Sequence, residues 1–229
     1  MASKKYILVD GTSSAGKTTI CEYYSKKKFG CYQIDNYWNT VNYEDEMKKI
    51  KNNYGALNMK KKVEKNMMDD VITSKKNALI DHVEQEGVKD YMKKIKLFDK
   101  LFIIVVFTNL EGLARNVESR RKEGDPRGVF VFKQFSKRYI KTNDKDKEKI
   151  ETVNRADFKK LLQKYFKYAF ENKDELLAFA DNVFKNMNIN DDKDHYVKLR
   201  DNFEYDYLLI TTNKTKKEIF DELDEIVLK

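Results

Sequence analysis

The sequence predicts an α/β protein built on a parallel sheet, and three observations carry that expectation. Short, apolar, β-branched runs recur along the chain. Stretches of helical periodicity separate them. Turn formers are scarce, with one proline and eight glycines in 229 residues. Runs that are apolar throughout suit strands buried on both faces, and strands that alternate with helices call for right-handed crossovers in one parallel sheet. So few turn residues argue against an all-β design.

The first strand is expected in "KYILVD" (5–10), followed by a glycine-bracketed loop and then "KTTICEYYSKKK", where Ile20, Tyr23 and Tyr24 fall at helical spacing. "CYQID" (31–35) is the second strand, ending on Asp35. From Tyr43 to Ser74 the text is charged and helical, with Met47, Ile50, Tyr54, Leu57, Val63 and Met67 as an inward stripe. "NALIDHV" (77–83), "LFIIVVFT" (101–108) and "YDYLLITT" (205–212) are strands three to five. "KKEIFDELDEIVLK" closes the chain as an amphipathic helix.

A long stretch separates strands four and five. "LEGLARNVESRRKEGDPRG" begins it as an arginine-rich helix that stops at Gly124 and Pro126, and residues 143–151 read as a solvated linker or helix start. Residues 155–184 then read as one long helix or two broken ones, with Phe158, Leu162, Phe166 and Phe170 on an apolar stripe. The expected organisation is a single domain over 1–229. Within it lie a helical region at 36–76 on the acceptor side, a lid at about 115–130, and a helical insertion at 133–200.

Hydrophobic content of 41% is enough for a core, although charged residues reach 37%. No apolar stretch approaches a membrane span, and the N-terminus enters its first strand too soon for a signal peptide. A cytoplasmic setting without membrane association is expected, in which Cys21 and Cys31 are reduced thiols. The net charge of +8 is spread over lysines interleaved with acids. A nucleic-acid footprint is clustered instead, so nucleic acid remains a possible but not a favoured partner.

The loop "GTSSAGKT" (11–18) matches G-x-x-x-x-G-K-[ST] at every fixed position. Surrounding a phosphate with backbone N–H groups requires dihedrals and close approaches that a Cβ forbids, which Gly11 and Gly16 supply. The following helix adds unpaired donors and the positive end of its dipole. Lys17 is expected on the β- and γ-phosphates and the Thr18 hydroxyl on Mg²⁺, with Ser13, Ser14, Ala15 and Thr19 completing the contacts. The context, a buried strand before and an amphipathic helix after, is that of the P-loop NTPase fold, with strand order 2-3-1-4-5.

Ligands of open parallel sheets sit beyond the carboxyl ends of the strands. Asp35, at the end of strand two, could accept the proton of an attacking hydroxyl; it could equally be a helix-capping or turn aspartate. Asp81, at the end of strand three, has the position of a carboxylate that orients magnesium. Arg115, Arg120, Arg121 and Arg127 cluster where a lid would begin and end, and guanidinium groups suit a transferring phosphoryl.

Together, "DGTSSAGKT", "QIDNYW", "RRKEGDPRG" and "YDYLLITTNKTKKEI" resemble the chloramphenicol phosphotransferase-like P-loop kinases, relatives of nucleoside monophosphate kinases and shikimate kinase. That resemblance implies Asp35 as general base, Lys17 and Thr18 as phosphate and magnesium contacts, Arg120, Arg121 and Arg127 as lid arginines, and Arg115 as the arginine stacked on adenine. Pro126 interrupts the family's Gly-Asp-Arg element, and residues 36–76 do not resemble its antibiotic-binding portion.

The leading expectation is an ATP- and Mg²⁺-dependent kinase that phosphorylates a hydroxyl of a small molecule. A nucleoside, nucleotide or polynucleotide 5′-kinase shares the donor site and differs in acceptor; Tyr37, Trp38 and Tyr43 could stack a base or roof an apolar molecule. A non-catalytic nucleotide sensor that reports through the insertion is the alternative from another class. No N-K-x-D guanine motif follows strand four, which disfavours a GTPase switch.

Overall fold

The computed structural model describes residues 4–11, 14–40, 53–81, 85–122, 140–141, 149–185, 195–198 and 205–228. Met47, Ile50, His82, Gly124, Pro126, Arg127 and Ser13 lie outside them. The chain divides into two compact units, one of residues 1–11, 16–106 and 204–209, the other of 12–15, 107–203 and 210–229.

The first unit carries a five-stranded parallel sheet of strands β1 (Tyr6–Gly11), β2 (Gly30–Gln33), β3 (Ala78–Asp81), β4 (Leu101–Phe107) and β8 (Tyr207–Ile210), in the order β2-β3-β1-β4-β8. This is the P-loop NTPase arrangement, with the order 2-3-1-4-5 expected of it. Helices α1 (Lys17–Ser25), α2 (Ile34–Thr40), α3 (Asn53–Thr73) and α4 (Gln85–Lys94) belong to the same unit.

Register sorts the strand side chains onto two faces, because successive residues alternate across a sheet. Tyr6 pairs with Ala78 and Leu101, and Leu8 with Ile80 and Ile103. These six share a core with Val63, Met67, Met68 and Val71 of α3 and Val88 and Met92 of α4. That is one face. The other holds Ile7, Val9, Leu79 and Ile104, with Ile20, Cys21 and Tyr24 of α1 buried beside the same strands. The apolar stripe expected of residues 43–74 is therefore correct where it is described, at Val63 and Met67. Lys4 fixes the end of α3 by donating to the carbonyls of Val71, Ile72 and Ser74.

Two expectations fail in this unit. Strand two stops at Gln33, and Asp35 sits in the first turn of α2 rather than at a strand end, where a carboxylate complements the positive end of the helix dipole. Cys21 and Cys31 are not free thiols: they form a disulfide, with Cα atoms 5.5 Å apart. Cys31 pairs in register with Leu79, so it faces the α1 side, where Cys21 of α1 is fully buried. That spacing lies inside the range a disulfide bridges.

The second unit contains α5 (Leu110–Lys122), α6 (Arg155–Tyr165), α7 (Lys173–Lys185) and α8 (Lys216–Val227). Residues 155–184 are two helices joined by a 3₁₀ turn at Lys167–Ala169. Phe158, Leu162 and Phe166 are buried, and the Phe158 and Phe184 rings pack with centroids 5.7 Å apart, joining α6 to α7. The insertion, expected to be helical, also contains an antiparallel sheet of strands β5 (Ile140–Lys141), β6 (Lys149–Val153) and β7 (His195–Lys198), in the order β5-β7-β6. Its strands are short and lysine-bearing, with no apolar run to announce them. No helix among the described residues is long and apolar enough to cross a membrane.

Candidate functional site

The site lies at the carboxyl end of β1 and begins with a close approach. Gly11 pairs in register with Val106 of β4 and has φ 137°, and a Cβ there would collide with the Val106 carbonyl oxygen. Only glycine fits such a position. Gly16, the residue before α1, has φ 106° and offers no side chain to cap the helix. The first turn of α1 contains no acid either. The helix therefore begins without a side-chain cap from its own N-terminal residues.

Lys17 opens this helix with its side chain buried, 7% exposed, and its ammonium donates to the Gly11 carbonyl at 3.1 Å. The chain thus curls back so that a cation lies over the glycine turn. Thr18 is next, and its hydroxyl donates to Oδ2 of Asp81 at 3.2 Å. Asp81 ends β3 in register with Val9, on the α1 face, and is itself 7% exposed. The two residues expected to serve magnesium are therefore in contact.

This set fits a nucleotide's phosphates and Mg²⁺. Gly11 holds a backbone that a Cβ would forbid, the helix end lacks a side-chain cap, and one ammonium, one hydroxyl and one carboxylate converge. No group of three or more His, Cys, Asp or Glu side chains suited to a metal forms among the described residues.

Asp35 is exposed in the first turn of α2, whose Ile34, Tyr37 and Trp38 pack against the α3/α4 core. The Tyr37 hydroxyl donates to Asp70 at 2.8 Å, and burial with that carboxylate raises its pKa. Tyr91 of α4 likewise donates to Asp69, and burial raises its pKa to about 12. These bonds tie α2 and α4 to the same turn of α3.

In the second unit, Ser14 has φ 66° and Ala15 is buried. The side-chain amide of Asn116 on α5 donates to the Ser14 carbonyl at 2.9 Å and braces this half of the loop. Asn116 had no signal in the sequence. Nor did Asp10, whose fully buried carboxylate accepts from the Gly11 N–H at 2.6 Å.

The arginines of α5 differ from one another. Arg115 is exposed and Arg120 half-buried. Arg121 makes a two-pronged contact with Glu118, Nε to Oε2 at 2.9 Å and Nη2 to Oε1 at 2.8 Å, and its guanidinium lies 4.1 Å from the centre of the Tyr168 ring. The bond from Arg121 pulls the Glu118 pKa down to about 2. The terminal "YDYLLITT" is structural: the Asp206 carboxylate accepts from the Ile103 N–H at 2.7 Å, and Thr211 donates to the Phe107 carbonyl.

The chain matches the AAA domain family over residues 7–151. Among solved structures, shikimate kinase from Bacteroides thetaiotaomicron is similar at 14% identity, with 99% of this chain and 100% of that one covered and a TM-score of 0.47. Shikimate kinase from Acinetobacter baumannii in complex with shikimate gives 10% identity, 99% and 94% coverage, and a TM-score of 0.44. TT1252 from Thermus thermophilus gives 10%, 99% and 97%, and 0.45. No curated protein matches the sequence.

Proposed function

We propose, from the premise that the chain belongs to the AAA domain family, that it is an ATP-dependent kinase that transfers the γ-phosphoryl group to a hydroxyl of a small-molecule acceptor. The observation that supports this reading best is the convergence of buried Lys17 and the Thr18–Asp81 pair on the uncapped N-terminus of α1. Its finer resemblance to the chloramphenicol phosphotransferase-like kinases is a reading of the motifs alone.

In this mechanism Gly11, Ser13, Ser14, Ala15, Gly16 and Thr19 surround the phosphates with backbone donors, and Lys17 exchanges the Gly11 carbonyl for phosphate oxygens. Thr18 would ligate Mg²⁺ and Asp81 would orient it; the ion, when bound there, neutralises phosphate charge. Asp35 takes the proton of the acceptor hydroxyl as the new oxygen–phosphorus bond forms and the bond between the γ-phosphorus and the departing ADP breaks. Arg115 stacks on the adenine, while Arg120, Arg121 and Arg127 offset charge on the transferring group, for which Arg121 would give up Glu118.

The test is ADP release over a panel of nucleosides, nucleotides, antibiotics and 5′-hydroxyl oligonucleotides, with Asp35→Asn alongside the wild type. Acceptor-dependent release that is lost in Asp35→Asn is the expected result. ATP binding without turnover on any acceptor would replace the kinase with a nucleotide sensor.

A further inference from the structure

The carboxyl end of the sheet has two faces, and the phosphate site uses the one toward α1. On the other, Leu8, Ile80 and Ile103 pack under α3 and α4, and polarity returns at the edge. Asp10, two residues beyond Leu8 and so on the same face, is fully buried. Gln85 begins α4, four residues after Asp81, on the buried face that also carries Val88, Lys89 and Met92. Here α4 runs close to α3: a Cβ at Gly87 would stand 2.6 Å from the Glu64 carboxylate.

Gln85 is 2% exposed, and neither its amide nitrogen nor its amide oxygen has a hydrogen-bond partner. An orphaned buried amide is destabilising, and native interiors rarely keep one without a use. A methionine would fill the same space without that cost. Asp35, the proposed base, opens α2, which packs on this same core through Ile34, Tyr37 and Trp38. Asp35 and Gln85 thus occupy first turns of helices that follow adjacent strands at the sheet's ligand-binding edge.

We propose that Gln85 is a specificity residue of the acceptor site and that the acceptor is a nucleoside, recognised through an N–H donor beside a carbonyl or ring-nitrogen acceptor on its base. This rests on the kinase reading above. A primary amide carries donor and acceptor in one plane, so a rigid base edge satisfies both at once. A flexible polyol has to freeze two rotors to do the same.

Isothermal titration on the full chain, with a non-hydrolysable ATP analogue present, tests this with uridine, cytidine, adenosine and guanosine, and with inositol as a polyol lacking the edge. At least one nucleoside binds the wild type, and Gln85→Met weakens it roughly 10- to 100-fold while its melting temperature stays level or rises. Gln85→Glu, which loses the donor, weakens it too, and inositol responds to neither change. The proposal is overturned if no nucleoside binds the wild type, or if Gln85→Met binds as tightly. It is also overturned if Gln85→Met melts lower with affinity intact, since the amide is then a structural group held by water. ADP release separates the two readings. A nucleoside bound in a Gln85-dependent way but never phosphorylated removes the kinase and leaves this recognition standing. Phosphorylation of inositol with every nucleoside ignored keeps the kinase and removes the recognition.

Discussion

Helices α1 and α8 begin in opposite ways. At α8, Thr215 accepts from the Glu218 N–H and Glu218 reaches back to the Thr215 N–H, a reciprocal box that satisfies two donors. Asn109, Asn154 and Asn172 similarly receive N–H groups at the starts of α5, α6 and α7. At α1 a glycine stands where those caps stand, and no acid lies in the first turn. Among the described helices, α5, α6, α7 and α8 thus begin with a side-chain cap, and α1 begins without one, beside a buried ammonium. Capping contributes about 1 kcal/mol, so the open end gives up local stability and leaves its donors for an anion from outside.

The largest expected effect removes the cation at the open end. Lys17→Ala lowers the rate of phosphoryl transfer by about 10²–10³-fold, as loss of a preorganised charge donor does elsewhere, and leaves the thermal melt of α8-dependent structure unchanged. Steady-state kinetics beside circular dichroism reads both. Gly11→Ala acts through the fold: a methyl against the Val106 carbonyl at φ 137° destabilises by about 3 kcal/mol in urea titration.

Reducing the Cys21–Cys31 bond behind α1 comes next. Opening a loop with a sequence separation of 10 costs about 2–3 kcal/mol, measured as a lower urea midpoint in dithiothreitol, and mass spectrometry of the unreduced protein shows no free thiol. At the capped end, Thr215→Ala costs about 1 kcal/mol and leaves transfer kinetics untouched. If it slows transfer as much as Lys17→Ala does, the contrast between the two ends is wrong.

The smallest effect concerns pH. The Glu118 pKa is depressed to about 2 by Arg121, below its unfolded value. Its contribution is therefore present above the ordinary carboxylate range and is lost as pH falls toward 2. The advantage of wild type over Glu118→Gln in melting temperature should be steady above pH 5 and shrink below it, by a small amount because both side chains still meet solvent.

The same contrast shows what the sequence discloses. The open end of α1 was legible because its causes are local: a fixed spacing of glycines and lysine between an apolar strand and an amphipathic helix. The α3 stripe at Val63 and Met67 followed from periodicity, and the sheet order from the P-loop fold that the loop and its context announce. Asn116 bonding Ser14, Asp10 under Gly11 and Cys21 against Cys31 depend on which elements become neighbours, and no local pattern encodes that. "CYQID" reads as extended and so puts Asp35 at a strand end; the strand stops at Gln33 and the chain turns helical from Ile34, where the aspartate complements a helix start. The small sheet of β5, β6 and β7 escaped because Ile140–Lys141 and "HYVK" have neither the length nor the apolar content of a strand signal.

The central claim is that the open end of α1 holds a triphosphate for transfer to a hydroxyl, and the fate of the γ-phosphoryl group tests it directly. With ATP labelled at the γ position, Mg²⁺ and the nucleoside panel, the account predicts label on an acceptor hydroxyl, in a reaction abolished by Lys17→Ala. Label that appears only as inorganic phosphate, or stays on ATP with every acceptor, would contradict it.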